Sequence, residues 1–439
     1  SSAVLFEPRV FPGAQLTWVN GFHDVPYSDF FRRSPVSDDA RRELVELYTT
    51  RRNYLPDVQD KERALAEMSW EHFIRAKMGL GDHAVRFANL YATDLLGLGC
   101  DAVSALDGYR VGPGFAGMGG EGFYEKNGIL RYAYEPVNRY PDGNHTIAKH
   151  FLKGILPEAV PGPDTMEGVF NSPVRYDQLD RAEHSVRLRL GSMAVRLEHR
   201  GRPSPASEVA VHYVRPDGHT YRVTARGVVM AGWGMVAKHI VPELPPDQRK
   251  ALDDYRYCSA VYINVLLRHW RPIAEIGAFE MFLPDGYCTW MHVSDPLRVG
   301  EYRPEYHPDK PTVLSMYKYI YRPGLDPTQQ MQLGRYEMEN KPFQDYEREI
   351  RMELTHMFGR WGFKAADDIL ALTVNRWGHG YNFFKEPGPY SKRRNPSYEK
   401  GRARVGRISF AGADAGGSPW TQTALQQAWR AAHEQLELA

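Results

Sequence analysis

Cysteine is scarce. Cys100, Cys258 and Cys288 are the three in 439 residues, and no two form a C-x-x-C pair. That count and spacing exclude a disulfide framework and a zinc ribbon. The thiols read as small buried hydrophobes. No apolar run approaches the roughly 20 residues that a spanning helix needs. No secretory leader is visible, and the chain opens on Ser1-Ser2-Ala3 without methionine, which reads as a processing site or a fragment boundary. An excess of one charge is missing too: 55 Lys and Arg against 54 Asp and Glu leave +1. No general attraction to nucleic acid or to a membrane surface follows from that balance. Repeats and low-complexity tracts are absent. His145 and His150 stand five apart, so a helix would not align them as metal ligands. Both read as solvent or cap residues.

Aromatic residues are plentiful, with 26 Tyr and 9 Trp, which fits ring-lined pockets or Tyr-rich cores. The length allows two or three domains. The most informative stretch lies near the end, where Ile408 to Ala411 reads as a short buried strand. Gly412, Ala413, Asp414, Gly416 and Gly417 then form a turn, and a helical run extends to Leu438. Thr421 is placed to cap that helix. Leu425, Ala428, Trp429, Ala432 and Leu436 recur at helical spacing. A helix start behind glycines can receive an electron-rich group, and Asp414 can accept from sugar-like hydroxyls. An ordinary strand–turn–helix of an α/β core accounts for the same pattern.

Upstream, residues 1–30 read as irregular, and helices are expected over 38–49, 60–68, 71–78, 82–98 and 145–156. In the last of these Ile147, Phe151, Leu152 and Ile155 share one side. Strands are expected over 186–190, 195–198, 208–214 and 221–230, with a turn at Pro216 to His219. More follow over 260–267, 278–283, 288–293 and 312–320. A helix over 343–358 and a strand over 369–375 lead into Trp377-Gly378-His379-Gly380-Tyr381, and 383–405 reads as loop. The fold class is mixed α/β (α+β).

Two glycine motifs need weighing. Gly112, Gly114 and Gly117 spell G-x-G-x-x-G, but no buried strand precedes them and no helix follows, so a dinucleotide turn is rejected. A flexible pocket-lining loop fits better. Gly232-Trp233-Gly234 follows the apolar strand ending at Ala231 and opens a helix cut short by Pro242 and Pro245.

The segment Phe410 to Gly417 with Thr421 to Trp429 resembles the C-terminal cofactor-contacting segment of the flavin amine oxidoreductases. Other blocks resemble the bacterial spermidine dehydrogenase branch: Asp101 to Asp107, Gly114 to Gly117, Pro141 to Asn144, Leu156-Pro157 with Pro161-Gly162, Pro242 to Pro245, and Val374 to Tyr381. The resemblance implies FAD as cofactor and an amine, polyamine-like substrate oxidised by hydride transfer to flavin N5. It assigns Gly412, Ala413 and Asp414 to the ribityl or pyrophosphate region. Thr421, Gln422 and Thr423 fall at the flavin edge, Val195 near the adenine, and Gly232 and Trp233 along the cofactor. Trp377 and Tyr381 are the expected rings beside the amine, with His379 as proton acceptor. Trp377 and Tyr381 also fit as core residues, and His379 as a loop residue bonded to a carbonyl. The resemblance places the Gly112–Gly122 loop on the substrate side. Glu121, Glu125 and Glu135 lie in the implied pocket segment, where each also reads as a solvated side chain. Haem occurs in this branch; the lack of C-x-x-C-H excludes a covalent c-type haem here, and non-covalent haem is not derivable.

The implied organisation is a mainly helical substrate region over 1–185 and a cofactor-domain meander over 186–240. A substrate-domain sheet over 241–380 and a return to the cofactor domain over 381–439 complete it. The family's N-terminal βαβ unit with G-x-G-x-x-G has no counterpart here. The expectation is therefore a second polypeptide, a subunit or a cleaved N-terminal piece, carrying that half. A bacterial cytoplasm or periplasm is implied, with the compartment open. Two alternatives stand beside amine oxidation: a flavin dehydrogenase or desaturase of another substrate in specialised metabolism, and a non-catalytic partner subunit of a flavoprotein.

Overall fold

The computed structural model describes residues 1–439 apart from 134–139, 203–207, 295–296 and 439, together with the side chain of Tyr381. Its strands, in chain order, are β1 (Ser2–Phe6), β2 (Thr17–Asn20), β3 (Phe123–Lys126), β4 (Ile129–Tyr132), β5 (Met193–His199), β6 (Val209–Val214), β7 (Thr220–Ala225) and β8 (Val228–Met230). Then come β9 (Tyr257–Leu267), β10 (Glu280–Phe282), β11 (Trp290–Val293), β12 (Thr312–Tyr319), β13 (Ile369–Asn382) and β14 (Ile408–Phe410). The architecture is mixed α/β. A seven-stranded sheet runs β13-β9-β12-β11-β10-β1-β2, antiparallel except where β1 joins β10. β5, β6 and β7 form a meander, and β8 pairs in parallel with β14.

Alternation along the large sheet explains its layering. Val261, Ile263, Val265, Met291, Leu314 and Met316 share a core with Ile350, Leu354 and Met357 of the helix Phe343–Phe358. The opposite face carries rings: Tyr262 and Tyr317 bond through their hydroxyls at 2.8 Å, and Trp290 stacks on Tyr317 at 4.4 Å. The first 30 residues are not irregular. β1 and β2 extend this sheet, their apolar residues too few for a periodic pattern to show in the sequence.

A second core gathers the helices of the first 110 residues. Ser37 caps Asp38–Thr49, and Asp82–Tyr91 continues through a π-helical turn to Leu96. The glycine-rich loop is packed here rather than free to flex. A Cβ on Gly112 would lie 1.9 Å from Trp70 Cη2, and Trp70 is fully buried. These glycines serve close packing.

Residues 186–190 form no strand; Arg187 and Arg189 instead both pair with Asp180, at 2.6 and 3.1 Å. In the helix His145–Ile155 it is Lys149 that is buried, its Nζ donating to the Phe170 carbonyl at 2.7 Å, while Phe151 and Ile155 are exposed. A helix over Pro327–Asn340, not expected from the sequence pattern, packs beside β9 and β13. The C-terminal helix Thr421–Leu436 is inverted in the same sense. It holds the β8–β14 pair by polar groups: Arg430 donates to the Phe410 carbonyl, and Gln435 donates to Ser409 Oγ at 2.8 Å. Its apolar stripe faces out, with Trp429 71% and Leu436 69% exposed. Among the described residues, β8 pairs with β14 and with no other strand.

Candidate active site

β8 and β14 end side by side, and the chain turns at each end. After β14 the backbone passes Gly412, Ala413 and Asp414 to Gly417, whose φ is +65° and where an added Cβ would lie 2.2 Å from the Tyr398 ring, a position that favours glycine. After β8 it passes Ala231, Gly232 and Trp233 into the helix Gly234–Ile240. Between these turns and the end of β13 lies a cavity of about 470 Å³. Small-molecule sites run roughly 300–1,000 Å³. Its lining includes Gly232, Trp233, Tyr257, His379, Asn382, Gly412, Ala413, Asp414, Pro419 and Ala424. Six of the residues expected from sequence are thus brought together: Gly232, Trp233, His379, Gly412, Ala413 and Asp414.

Asp414 is the polar centre. Its Oδ2 accepts from the Gly234 amide at 2.7 Å and from the Tyr257 hydroxyl, and its Oδ1 accepts from Asn382 Nδ2 at 3.2 Å. Tyr257 Oη also accepts from the Met235 amide at 3.4 Å. Burial, and then the neighbouring Asp414, push the Tyr257 hydroxyl far above the usual phenol range, so it remains a donor at any working pH.

His379 reaches the cavity through a bulge. Trp377 pairs with Ala260 and Tyr381 with Cys258, so four residues of β13 span what two span on β9. Arg335 Nε donates to the Gly378 carbonyl at 2.9 Å and Ser259 Oγ donates to it at 3.3 Å, pinning the bulge. The imidazole lies 5.5 Å from the Trp233 ring and 5.7 Å from the Tyr257 ring. Burial, and then the Arg335 charge, hold its pKa below the ordinary histidine value, which keeps it neutral at pH 7.

The other expected residues are placed elsewhere. Trp377 is 56% exposed and does not line this cavity. Tyr381 is seen by its backbone alone, its side chain lying outside the described residues. Thr421 does not cap the C-terminal helix. Trp420 occupies the cap position, no side chain bonds the first turn, and Thr421 is the first helical residue. Thr421 and Gln422 are exposed, Thr423 is half-buried, and Pro419 and Ala424 meet the cavity instead. Val195 falls at a register shift in β5 and is exposed. Glu121 and Glu125 are exposed, Glu125 pairing with Arg51 at 2.7 Å, and Glu135 lies outside the described residues. Tyr257, Asn382 and Arg335 were missed. Asn382 adjoins the Trp377–Tyr381 block that carried the resemblance, whereas nothing around Tyr257 or Arg335 singled them out.

A larger cavity of about 920 Å³ reaches Gly417 and is lined by Arg110, Lys385, Glu386, Arg393 and Lys400. Much of its charge is spent internally: Lys385 and Arg393 pair with buried Asp107, and Lys400 pairs with Asp247. Among the described residues no cluster of His, Cys, Asp and Glu could hold a metal ion, and no helix is long and apolar enough to cross a membrane.

A family model described as flavin containing amine oxidoreductase matches residues 171–435. Comparison with curated proteins finds no match. Solved structures similar in fold include putrescine oxidase in its wild-type form bound to putrescine, at TM-score 0.55 and 13% identity over 99% of this chain and 81% of that one. A single mutant of putrescine oxidase, made in a redesign of its cofactor binding, aligns at TM-score 0.59 and 13% identity, over 100% of this chain and 81% of that one. Cyclohexylamine oxidase from Brevibacterium oxydans IH-35A aligns at TM-score 0.53 and 12% identity, over 99% of this chain and 80% of that one. At these identities the likeness is one of fold.

Proposed function

The chain belongs to the flavin containing amine oxidoreductases, and from that membership we propose that it oxidises an aliphatic, polyamine-like amine with FAD as cofactor, in the manner of the spermidine dehydrogenase branch. The observation that carries this reading is the single cavity into which the two turns, His379 and the start of the C-terminal helix converge. The fit is chemical as well as spatial. Asn382 Oδ1 is buried in the wall with no hydrogen-bond partner among the described residues, and small residues at Gly232, Gly412 and Ala413 allow close approach of a flat ligand. A bound flavin supplies the acceptor for the hydride equivalent that leaves the carbon beside a neutral amine nitrogen.

The chain's own residues have separate tasks. Trp233 and Tyr257 are the proposed walls of the amine site, since ring faces attract an ammonium in approach. Trp377, being exposed, is left out of that wall. His379, neutral and held between the two rings, takes the proton that the ammonium must lose. Arg335 positions His379 by gripping the bulge. The first-turn amides of the C-terminal helix, at Thr421 and Gln422, have no intrahelical acceptor and are assigned to an electron-rich ligand edge.

The nucleotide half is assigned to a second polypeptide, a subunit or a cleaved piece, carrying a βαβ unit with G-x-G-x-x-G. Two surfaces support this: the side of β8 that no strand pairs among the described residues, with Val229 41% exposed, and the outward stripe of the C-terminal helix. A two-stranded parallel pair with one face open is not a complete sheet. Retention of stoichiometric FAD by a monodisperse 1–439 chain alone argues decisively against a second polypeptide. The activity is tested by mixing the purified complex with a panel of amines without oxygen and following the flavin's visible absorbance. Bleaching by diamines or polyamines is expected. No bleaching by any amine removes the amine reading, and absence of bound flavin removes the enzyme reading.

A further inference from the structure

Asn382, the last residue of β13, is 5% exposed and stands in the cavity wall. Its Nδ2 donates to Asp414 Oδ1 at 3.2 Å. That bond sets the direction of the carboxamide, because the flipped amide would turn Oδ1 against a carboxylate oxygen and lose the bond. Oδ1 is then left buried, with no hydrogen-bond partner among the described residues. Buried acceptors in this condition are rare in native proteins and call for an explanation.

Asp414 does not share the deficit. Gly234, Tyr257 and Asn382 supply its two oxygens with three donors. The acid that looks outward in the sequence is therefore turned toward the protein, and the acceptor left over belongs to its neighbour. On the flavin reading of this cavity, on which the inference rests, two kinds of ligand donor exist: the ring N–H and the hydroxyls of the ribityl chain. The ring N–H lies between two carbonyls and asks for an acceptor flanked by donors. The nearby donor, Asn382 Nδ2, is committed to Asp414. A hydroxyl donates once and needs no such flanks.

We infer that Asn382 Oδ1 is a ligand-binding acceptor that accepts a hydrogen bond from a hydroxyl of the ribityl chain, with Asp414 as the positioning residue that holds the carboxamide in register. The balance is simple, since no bond breaks and a hydroxyl exchanges water for Oδ1.

The test titrates the full chain, with any partner it retains, with riboflavin and with lumiflavin, which keeps the ring and its N–H but lacks the ribityl hydroxyls. Quenching of flavin fluorescence is the readout. Wild type should prefer riboflavin by about tenfold, the worth of roughly one buried hydrogen bond. Asn382→Leu should erase that preference while leaving lumiflavin affinity within about twofold. An equal loss for both ligands shows a merely structural asparagine and overturns the inference, as does a variant that keeps the preference. Equal wild-type affinities overturn it without any variant. Failure of wild type to bind either flavin removes the flavin reading itself, a separate and recognisable outcome.

Discussion

Replacing Asp414 by alanine removes the acceptor of three donors: the Gly234 amide, the Tyr257 hydroxyl and Asn382 Nδ2. Hydrogen bonds to a charged acceptor contribute about 1.5–3 kcal/mol each. Three such bonds come to roughly 5–9 kcal/mol, but the cavity is open enough for water to satisfy part of the loss. We expect Asp414→Ala to cost about 3 kcal/mol, and Tyr257→Phe, which removes one donor, about 1–2 kcal/mol. In the double variant the phenylalanine should add no more than about 0.5 kcal/mol, because its partner is already gone. The assay is urea unfolding followed by intrinsic fluorescence, comparing midpoints at constant slope. A double variant whose cost is the plain sum of the two singles would show that Tyr257 and Asp414 are not coupled. Flavin content gives a second reading: Asp414→Ala should retain less FAD, and unchanged content would take Asp414 out of the binding machinery.

His23 gives a pH prediction. Burial outweighs the pull of Asp24 and lowers its pKa to about 3, against about 6.5 in the unfolded chain. The unfolded state therefore binds more protons below that value, so this stabilisation is complete above about pH 6.5 and declines as pH falls toward 3. At pH 5 the loss is about 2 kcal/mol, and His23→Asn should flatten that part of the profile; parallel profiles for the two proteins would show otherwise. Gly112→Ala should cost about 3 kcal/mol, since its Cβ would overlap Trp70, whereas Gly388→Ala, with open space around it, should melt like wild type. The pair Leu425→Lys and Trp429→Glu should leave the free chain within about 0.5 kcal/mol while abolishing capture of the proposed βαβ partner, supplied as a separate polypeptide. A clear drop in the chain's own stability would mean the stripe is packed within it.

How much of the site could be read beforehand depends on what each residue needed. Asp414, Gly412 and Ala413 sit on one contiguous turn, and a glycine turn after a short apolar strand is written locally. Trp233 and Gly232 follow the neighbouring strand in the same way. His379 was visible as a histidine between glycines, but its aim into the cavity comes from a bulge set by Arg335 and Ser259, distant in sequence. Tyr257 opens β9 and lies 157 residues from its partner Asp414, so no spacing rule reaches it. Thr421 failed as a cap because the turn enters the helix one residue earlier, at Trp420. Element boundaries of that kind depend on tertiary packing.

The C-terminal helix shows where periodicity stops being enough. Its stripe of Leu425, Ala428, Trp429, Ala432 and Leu436 has the spacing of a buried face, and the helix forms where that spacing places it. Yet the face packed on β14 is the one carrying Arg430, Ala431 and Gln435, with Arg430 and Gln435 bonded to the strand's carbonyl and hydroxyl groups. Large apolar side chains each contribute about 1.5–3 kcal/mol when fully taken out of water, and Leu425, Trp429 and Leu436 are still 45%, 71% and 69% exposed, so together they represent roughly 3–6 kcal/mol of unrealised burial. A polar inner face and an apolar outer one make sense together if the helix lies between two layers, β8 and β14 on one side and a βαβ unit on the other. The same helix also contacts β8, which among the described residues pairs with β14 alone. One βαβ unit, adding a parallel strand to β8 and laying its helix on the stripe, would satisfy both at once, which two unrelated contacts would do only by coincidence.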